Sequence, residues 1–366
     1  MNQALSPLEI EIRRIISVAG PMTVAHYMDL CLAHPKYGYY ITRDPFGAGG
    51  DFTTAPEVSQ MFGELLGIWA ASVYRIMGKP SHVQLVELGP GRGTMIRDVL
   101  RATQVVPEFR RALSLHLVEI SPKLEEIQRD GLEGFQVPRF WHRKLEDVPH
   151  GPSVILANEF VDALPVHQAV KQVAGWHERV IGLDPAGNFK LGLAPDPIPH
   201  FDRLLPQKVR NAPVGAIFEW RTDNLPLEIG RRVRDNGAAL IVDYGHAQTD
   251  IGDTLQAVGD HAFADPKSAP GMADITAHVD FEIFGLSAES MGAAIHGPVE
   301  QGEFLRRLGI EDRAQALKER ASPEKAQEID LALTRLTQAG RTGMGELFKA
   351  VAVASPKLGP LPGFIV

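Results

Sequence analysis

Val83-Gln84-Leu85-Val86-Glu87-Leu88-Gly89-Pro90-Gly91-Arg92-Gly93-Thr94 is the stretch on which the reading of this chain turns. An apolar run passes without a spacer into three glycines at alternate positions, and a helix-like pattern follows from Thr94 to Thr103. Glycine adopts positive φ at no steric cost and lets a ligand approach bare backbone, while the first turn of a helix leaves its amides unpaired. The pattern predicts a strand, a tight turn and a helix that together hold a nucleotide-like group. A turn built only for tight strand-to-helix packing has the same local signature, so a second element is needed beside it.

The spacing is Gly-x-Gly-x-Gly, not the Gly-x-Gly-x-x-Gly of dinucleotide binders. Glu87, just ahead of the turn, would oppose a pyrophosphate but suits a cation. S-adenosylmethionine carries a sulfonium, an ammonium and one carboxylate, so an acid near the turn favours it while the helix amides, Thr94 included, take the carboxylate. The second element is Leu115-His116-Leu117-Val118-Glu119-Ile120-Ser121-Pro122, an alternating strand ending in an acid and a Ser-Pro helix start. Glu119 at that tip can accept hydrogen bonds from both ribose hydroxyls. Taken without the glycine loop, it reads first as a helix-capping carboxylate.

At 366 residues and 44% apolar content the chain can bury a large core, read here as one core with insertions. A net charge of −8 shows no overall basic footprint for nucleic acid. Cys31 is the only cysteine, which rules out an internal disulfide, and the 13 histidines form no His-x-x-x-His pair, so no metal is expected. No apolar run reaches the roughly 20 residues that span a bilayer. Residues 1–16 carry Glu9 and Glu11 without an apolar signal region, so the expected location is cytoplasmic.

Along the chain, residues 6–32 suggest two helices broken at Gly20-Pro21, and the aromatic, glycine-rich stretch 34–60 suggests a lid. A long helix is expected from Glu57 to Met77. Strands alternate with helices through Phe140–Lys144 and the buried-type strand Ser153–Ala157, which indicates a parallel doubly wound α/β sheet. From Val166 to about Leu193 the pattern changes to antiparallel hairpins, and the parallel pattern resumes with helix Leu227–Arg234 and strand Ala238–Asp243. A helix at Asp280–Met291, helical content across Arg306–Gly340 and a closing strand Phe348–Ala354 complete the expectation. The expected organisation is an N-terminal helical cap and lid over 1–80 and a core over 81–366, with a substrate-side insertion at about 166–225.

The fourth strand ends in Ala157-Asn158-Glu159-Phe160-Val161-Asp162-Ala163-Leu164-Pro165, where an open parallel sheet carries its reaction centre. Asn158, Glu159 and Asp162 are suited to orienting a nucleophile and managing its proton, and carboxylates can grip a guanidinium in a bidentate fork. Each is also a common helix N-terminal cap. Asp243-Tyr244-Gly245 either lines the same crevice or makes a tight turn. Leu145-Glu146-Asp147 either flanks an adenine or forms an exposed acidic turn. Neither a Gly-x-Ser-x-Gly elbow nor a Gly-x-x-x-x-Gly-Lys-Ser/Thr loop occurs.

Taken together, Gly49–Gln60 (Gly-Gly-Asp-Phe-Thr-Thr-Ala-Pro-Glu-Val-Ser-Gln), Phe62–Gly67, Glu87–Thr94, Asn158–Pro165, Asp243–Gly245 and Asp274–Phe281 resemble one family along nearly the whole chain. It is the family of class I S-adenosylmethionine-dependent methyltransferases that includes the mitochondrial respiratory complex I assembly methyltransferase. The resemblance implies a seven-stranded core and, from the mitochondrial member, methylation of an arginine in a complex I subunit. It places Gly89, Gly91 and Gly93 in the cofactor loop, Glu119 at the ribose and 158–162 on the acceptor side. Position 161 is Val where the family pattern has an aromatic. This chain looks like a bacterial relative of mitochondrial-matrix proteins, with a protein substrate and an oligomeric state left open, a homodimer among the options. Three other readings stay open: an assembly chaperone with a structural cofactor pocket, a small-molecule N-methyltransferase and an NAD-dependent oxidoreductase.

Overall fold

The computed structural model describes residues 5–43, 53–259, 262–340 and 342–365. The chain groups into two compact units, each discontinuous in sequence. One comprises Met1–Phe52, Asp162–Thr222 and Gln248–Asp280, the other Thr53–Val161, Asp223–Ala247 and Phe281–Val366.

The second unit is built on a mixed sheet. Its strands are β1 (Val83–Leu88), β2 (Leu113–Val118), β3 (Arg139–His142), β4 (Ser153–Asn158), β5 (Gly237–His246), β6 (Ala294–Glu300) and β7 (Phe348–Ala354), which lie side by side in the order β6-β7-β5-β4-β1-β2-β3. From β3 to β5 the neighbours are parallel, while β7 runs antiparallel to both β5 and β6. Every residue of β1, β2 and β4 is buried, as expected where helices cover both faces of a parallel sheet. The strand order reverses at β1 and β4, and their carboxyl ends open the crevice in which such sheets bind ligands.

The sequence pattern missed β6. Gly297-Pro298 interrupts its alternation and the register shifts between His296 and Val299, features tolerated because β6 lies at the edge of this strand path.

Helix α1 (Gln60–Ile76) belongs to this unit. The helix expected over Glu57–Met77 is split, because Ser59 is extended and its side chain caps Met61 N, leaving Ala55–Val58 as a separate turn. Helix α2 (Thr94–Ala102) crosses α1 at very short range. A Cβ on Gly67 would stand 2.9 Å from the Val99 carbonyl oxygen, and one on Gly63 would stand 2.7 Å from the Asp98 Cβ. Around this crossing Trp69, Phe62, Leu85, Ile96, Phe109 and Leu156 are buried in one cluster.

The first unit carries helices Pro7–Ala19 and Val24–Ala33. Ser6 caps the first of these by accepting Glu9 N, and Leu8, Ile12 and Ile16 form its buried stripe. A five-stranded antiparallel sheet joins Met22–Thr23, Gly175–Leu183, His167–Gln172, Ile217–Trp220 and Phe189–Leu193, and a smaller sheet joins Gln256–Gly259, Ala262–Ala264 and Asp274–Thr276. Of the stretch 34–60 expected to form a lid, 44–52 lies outside the described residues. Residues 34–43 fold into the first unit, where Tyr39 is buried and Tyr40 donates to Asp274 Oδ1 at 2.8 Å. Among the described residues no helix is long and apolar enough to cross a membrane.

The α1–α2 crossing gives a direct test. Gly67→Val is expected to destabilise the protein by about 2 kcal/mol or more, because the new methyls meet backbone that cannot retreat. A lowered urea midpoint with an unchanged slope would show it.

Candidate functional site

The site grows from the register of three strands. Leu88 pairs with Val118 on one side and with Ala157 on the other, so the ends of β1, β2 and β4 come level. Past Leu88 the chain turns through Gly89, Gly91 and Gly93 at φ of 61°, 53° and 73°, all left-handed. Gly89 N donates to Val118 O, Gly93 N closes the turn on Pro90 O, and no side chain caps the first turn of α2. A Cβ on Gly89 would stand 2.6 Å from the Phe160 ring, so this glycine is required by conformation and by space.

Two acids lie beneath the turn. Glu87 is 2% exposed, and its Oε2 has no hydrogen-bond partner. Burial and the neighbouring Glu119 charge push its carboxyl up to about 8. Glu119, at the tip of β2, is pushed up by burial to about 7, against the pull of the Ser121 amide and the Gln128 side chain. Its Oε1 accepts Ser121 N at 2.8 Å and its Oε2 accepts Gln128 Nε2 at 3.0 Å. Gln128, fully buried on helix α3 (Pro122–Leu132), also donates to Gly91 O at 2.7 Å and accepts from Trp141 Nε1 at 2.9 Å. Beyond β3, Arg143 donates to Glu119 O at 2.9 Å. Leu145 is buried and Glu146 exposed in the single turn Leu145–Asp147.

At the end of β4, Glu159 is a non-glycine residue at φ 49°, an uncommon conformation that the surroundings hold in place. Its amide donates to Val242 O, and the next two amides, Phe160 and Val161, both donate to Asp243 Oδ2 at 3.1 and 2.8 Å. Asp243, fully buried within β5, therefore shapes this turn from the neighbouring strand. Glu159 Oε1 accepts Ala55 N at 3.0 Å and Asn158 Nδ2 at 3.2 Å. Asn158 Oδ1 is buried with no hydrogen-bond partner. Thr94 Oγ1 donates to Glu57 Oε1 at 2.6 Å and accepts from Arg97. The turn Ala55–Val58 thus reaches the end of β4 through Ala55 and the start of α2 through Glu57.

Asp162 falls in the first unit, where its Oδ1 accepts Ala163 N and its backbone oxygen accepts Ala277 N and Arg221 Nη2. The Arg221 guanidinium also donates to the carbonyls of Leu164, Ala277 and His278. Among the described residues no group of three or more His, Cys, Asp or Glu could hold a metal ion.

The structure brings the ends of β1, β2 and β4, at which Glu87, the three glycines and Thr94, Glu119, and Asn158 with Glu159 lie, to one level of the sheet. Sequence reasoning missed Gln128, Trp141, Glu57 and Phe160. A lone glutamine inside an amphipathic helix carries no local signal, and its partner in the glycine turn lies 37 residues earlier.

A doubly wound sheet with a glycine turn after its first strand and an acid at the tip of its second defines a nucleoside-cofactor protein of the α/β class. Residues 65–299 match the model of the S-adenosyl-L-methionine-dependent methyltransferase family, and the chain belongs to that family. Its cofactor is S-adenosyl-L-methionine. Similar proteins include the protein arginine methyltransferase NDUFAF7 homolog, mitochondrial, of Drosophila melanogaster, 41% identical over 94% of this chain and 84% of that one. The Homo sapiens protein arginine methyltransferase NDUFAF7, mitochondrial, is 39% identical over 86% of this chain and 76% of its own length. A crystal structure from Burkholderia thailandensis bound to S-adenosyl-homocysteine superposes with a TM-score of 0.85, at 27% identity, covering 99% of this chain and 97% of that one.

The raised Glu87 carboxyl makes stability depend on pH. Between its ordinary value of 4.5 and about 8 the folded chain holds a proton that the unfolded chain has released, so stability falls as pH rises through that interval. Glu87→Gln is expected to raise the stability of the ligand-free protein at pH 8 by roughly 2 kcal/mol and to leave it nearly unchanged at pH 5. Urea unfolding at the two pH values measures the difference.

Proposed function

We propose that this protein transfers a methyl group from S-adenosylmethionine to a guanidinium nitrogen of an arginine in a protein substrate. The observation that carries the reading is the level alignment of the glycine turn with Asn158 and Glu159, on a chain about 40% identical to proteins named protein arginine methyltransferase. The finer fold assignment belongs to the same reading: the seven-strand path is a class I methyltransferase sheet, and the antiparallel segment at about 166–225 is a substrate-side insertion. So does the cap-and-core division at residue 80.

The residues fit the donor. Left-handed glycines leave bare backbone where it would lie, and a buried carboxylate oxygen of Glu87 stands unpartnered beneath. Gly89, Gly91, Gly93 and Thr94 would hold the amino-acid end, Glu119 the ribose, and Leu145 with Glu146 the adenine edge. When bound, S-adenosylmethionine supplies an electrophilic methyl on a sulfonium.

On the acceptor side, Glu159 would orient the guanidinium, Asn158 Oδ1 would accept one of its N–H groups, and Asp162 is the further carboxylate assigned to the acceptor. The new N–C bond would form as the donor's sulfur–methyl bond breaks, with the neutral thioether as leaving group, and the nitrogen would give up one proton to a carboxylate or water. The hydrogen bonds from Ala55 N and Asn158 Nδ2 keep the Glu159 carboxylate from rotating. A respiratory complex I subunit is the acceptor that the family resemblance suggests. A cytoplasmic location remains part of this reading, whereas the relatives above are named mitochondrial.

Two measurements test it. Calorimetry is expected to show S-adenosylmethionine binding more tightly as pH rises from 6 to 8, with proton release, because a cation favours the ionised forms of Glu87 and Glu119. Affinity flat across that range would contradict the assigned roles. Incubation with labelled S-adenosylmethionine and a lysate lacking the gene should label protein at arginine. Asn158→Ala and Asp162→Asn should lower labelling about 100-fold or more with donor affinity retained, and label found only in small molecules would overturn the protein acceptor.

A further inference from the structure

We propose that Gln128 is a positioning residue for the donor site, holding the Gly91 carbonyl and the Glu119 carboxylate in one arrangement, and that Trp141 sets the amide orientation this requires. The inference rests on the donor site proposed above.

An indole N–H can only donate. Trp141 Nε1, 2.9 Å from the Gln128 amide, must therefore face its oxygen, and the amide NH₂ must face the other way. There it meets two acceptors, Gly91 O at 2.7 Å and Glu119 Oε2 at 3.0 Å, so each amide hydrogen has its own partner. The exchanged orientation would set N–H against N–H and oxygen against two oxygens in a fully buried place, which costs several hydrogen bonds at once. Arg129 lies 3.8 Å over the Trp141 ring, covering the indole from the helix that carries Gln128.

This arrangement acts on the donor in two ways. It ties the middle of the glycine turn to the acid at the tip of β2, so the two ends of the donor's site keep a fixed spacing. It also supplies N–H donation to a carboxylate that burial would otherwise keep protonated near neutral pH. An ionised Glu119 accepts from two ribose hydroxyls, and a protonated one offers fewer acceptors. The other charged groups facing it are Glu87 on β1, which opposes ionisation, and Arg143 beyond β3, which favours it and is itself paired with Glu125.

The test uses Gln128→Met, which keeps the volume and removes the amide, and Trp141→Phe, which frees the amide to turn over. Carboxyl-carbon NMR of the ligand-free protein, with Glu119→Gln to assign the signal, follows the titration of Glu119. Both variants are expected to move its midpoint upward, Gln128→Met by about one pH unit, and to weaken S-adenosylmethionine binding, Gln128→Met about fivefold at pH 7, with recovery toward pH 9. An unmoved Glu119 midpoint in both, or binding weakened equally at every pH, would overturn the positioning role and leave Gln128 as packing. If wild-type protein binds no S-adenosylmethionine, the donor-site reading fails, while the Glu119 titration still decides the coupling between the two side chains. Should Gln128→Met not fold, Trp141→Phe carries both measurements.

Discussion

Leu88 lies between Val118 and Ala157, and that double parallel pairing is the constraint from which the site follows. It sets the glycine turn after β1, the acid after β2 and the Asn-Glu pair after β4 at one level of the sheet. A slip of one residue in either ladder would turn every side chain at these ends to the opposite face. The burial of all three strands on both sides holds the register, since a slipped strand would leave apolar residues without partners in the cluster around Trp69 and Phe62.

The site concentrates features that a stable fold would otherwise avoid. Two carboxyl groups share a buried space in which their charges would repel, one with an oxygen that has no hydrogen-bond partner. A glutamate occupies left-handed backbone, and an asparagine oxygen is buried without a donor. Each costs free energy in the ligand-free chain. Compensation comes from close neighbours: Asp243 holds two successive amides after Glu159, and Gln128 donates to both the turn and the acid. Such polar strain gathered at the ends of three strands is the pattern that functional sites show.

Much of this was legible from local sequence. The strands, the glycine turn and helices α2 and α3 follow from residues within about ten positions of one another, where periodicity and capping act. Glu119 could be placed at a strand tip because its strand and the Ser-Pro start flank it directly. Gln128, Trp141, Glu57 and Asp243 could not be assigned their parts in that way. Gln128 reaches back 37 residues to Gly91, Glu57 reaches forward 37 to Thr94, and Asp243 serves amides 83 and 82 residues earlier. The edge strand β6 escaped notice for the opposite reason, since its own Gly-Pro breaks the alternation by which strands are recognised.

Sequence alone determined that this chain would form an α/β sheet with a run of parallel strands and a glycine turn after β1, because alternating apolar strands, alternate glycines and helix caps are governed by short-range sterics and hydrogen bonding. Tertiary structure alone decided that α1 packs with the sheet, that Phe160 closes on Gly89 and that Gln128 joins the turn to Glu119. Those outcomes depend on which distant surfaces meet and on where a buried polar atom finds its partner, and no pattern along the chain encodes a contact between residues whose separation bears no relation to helix or strand period.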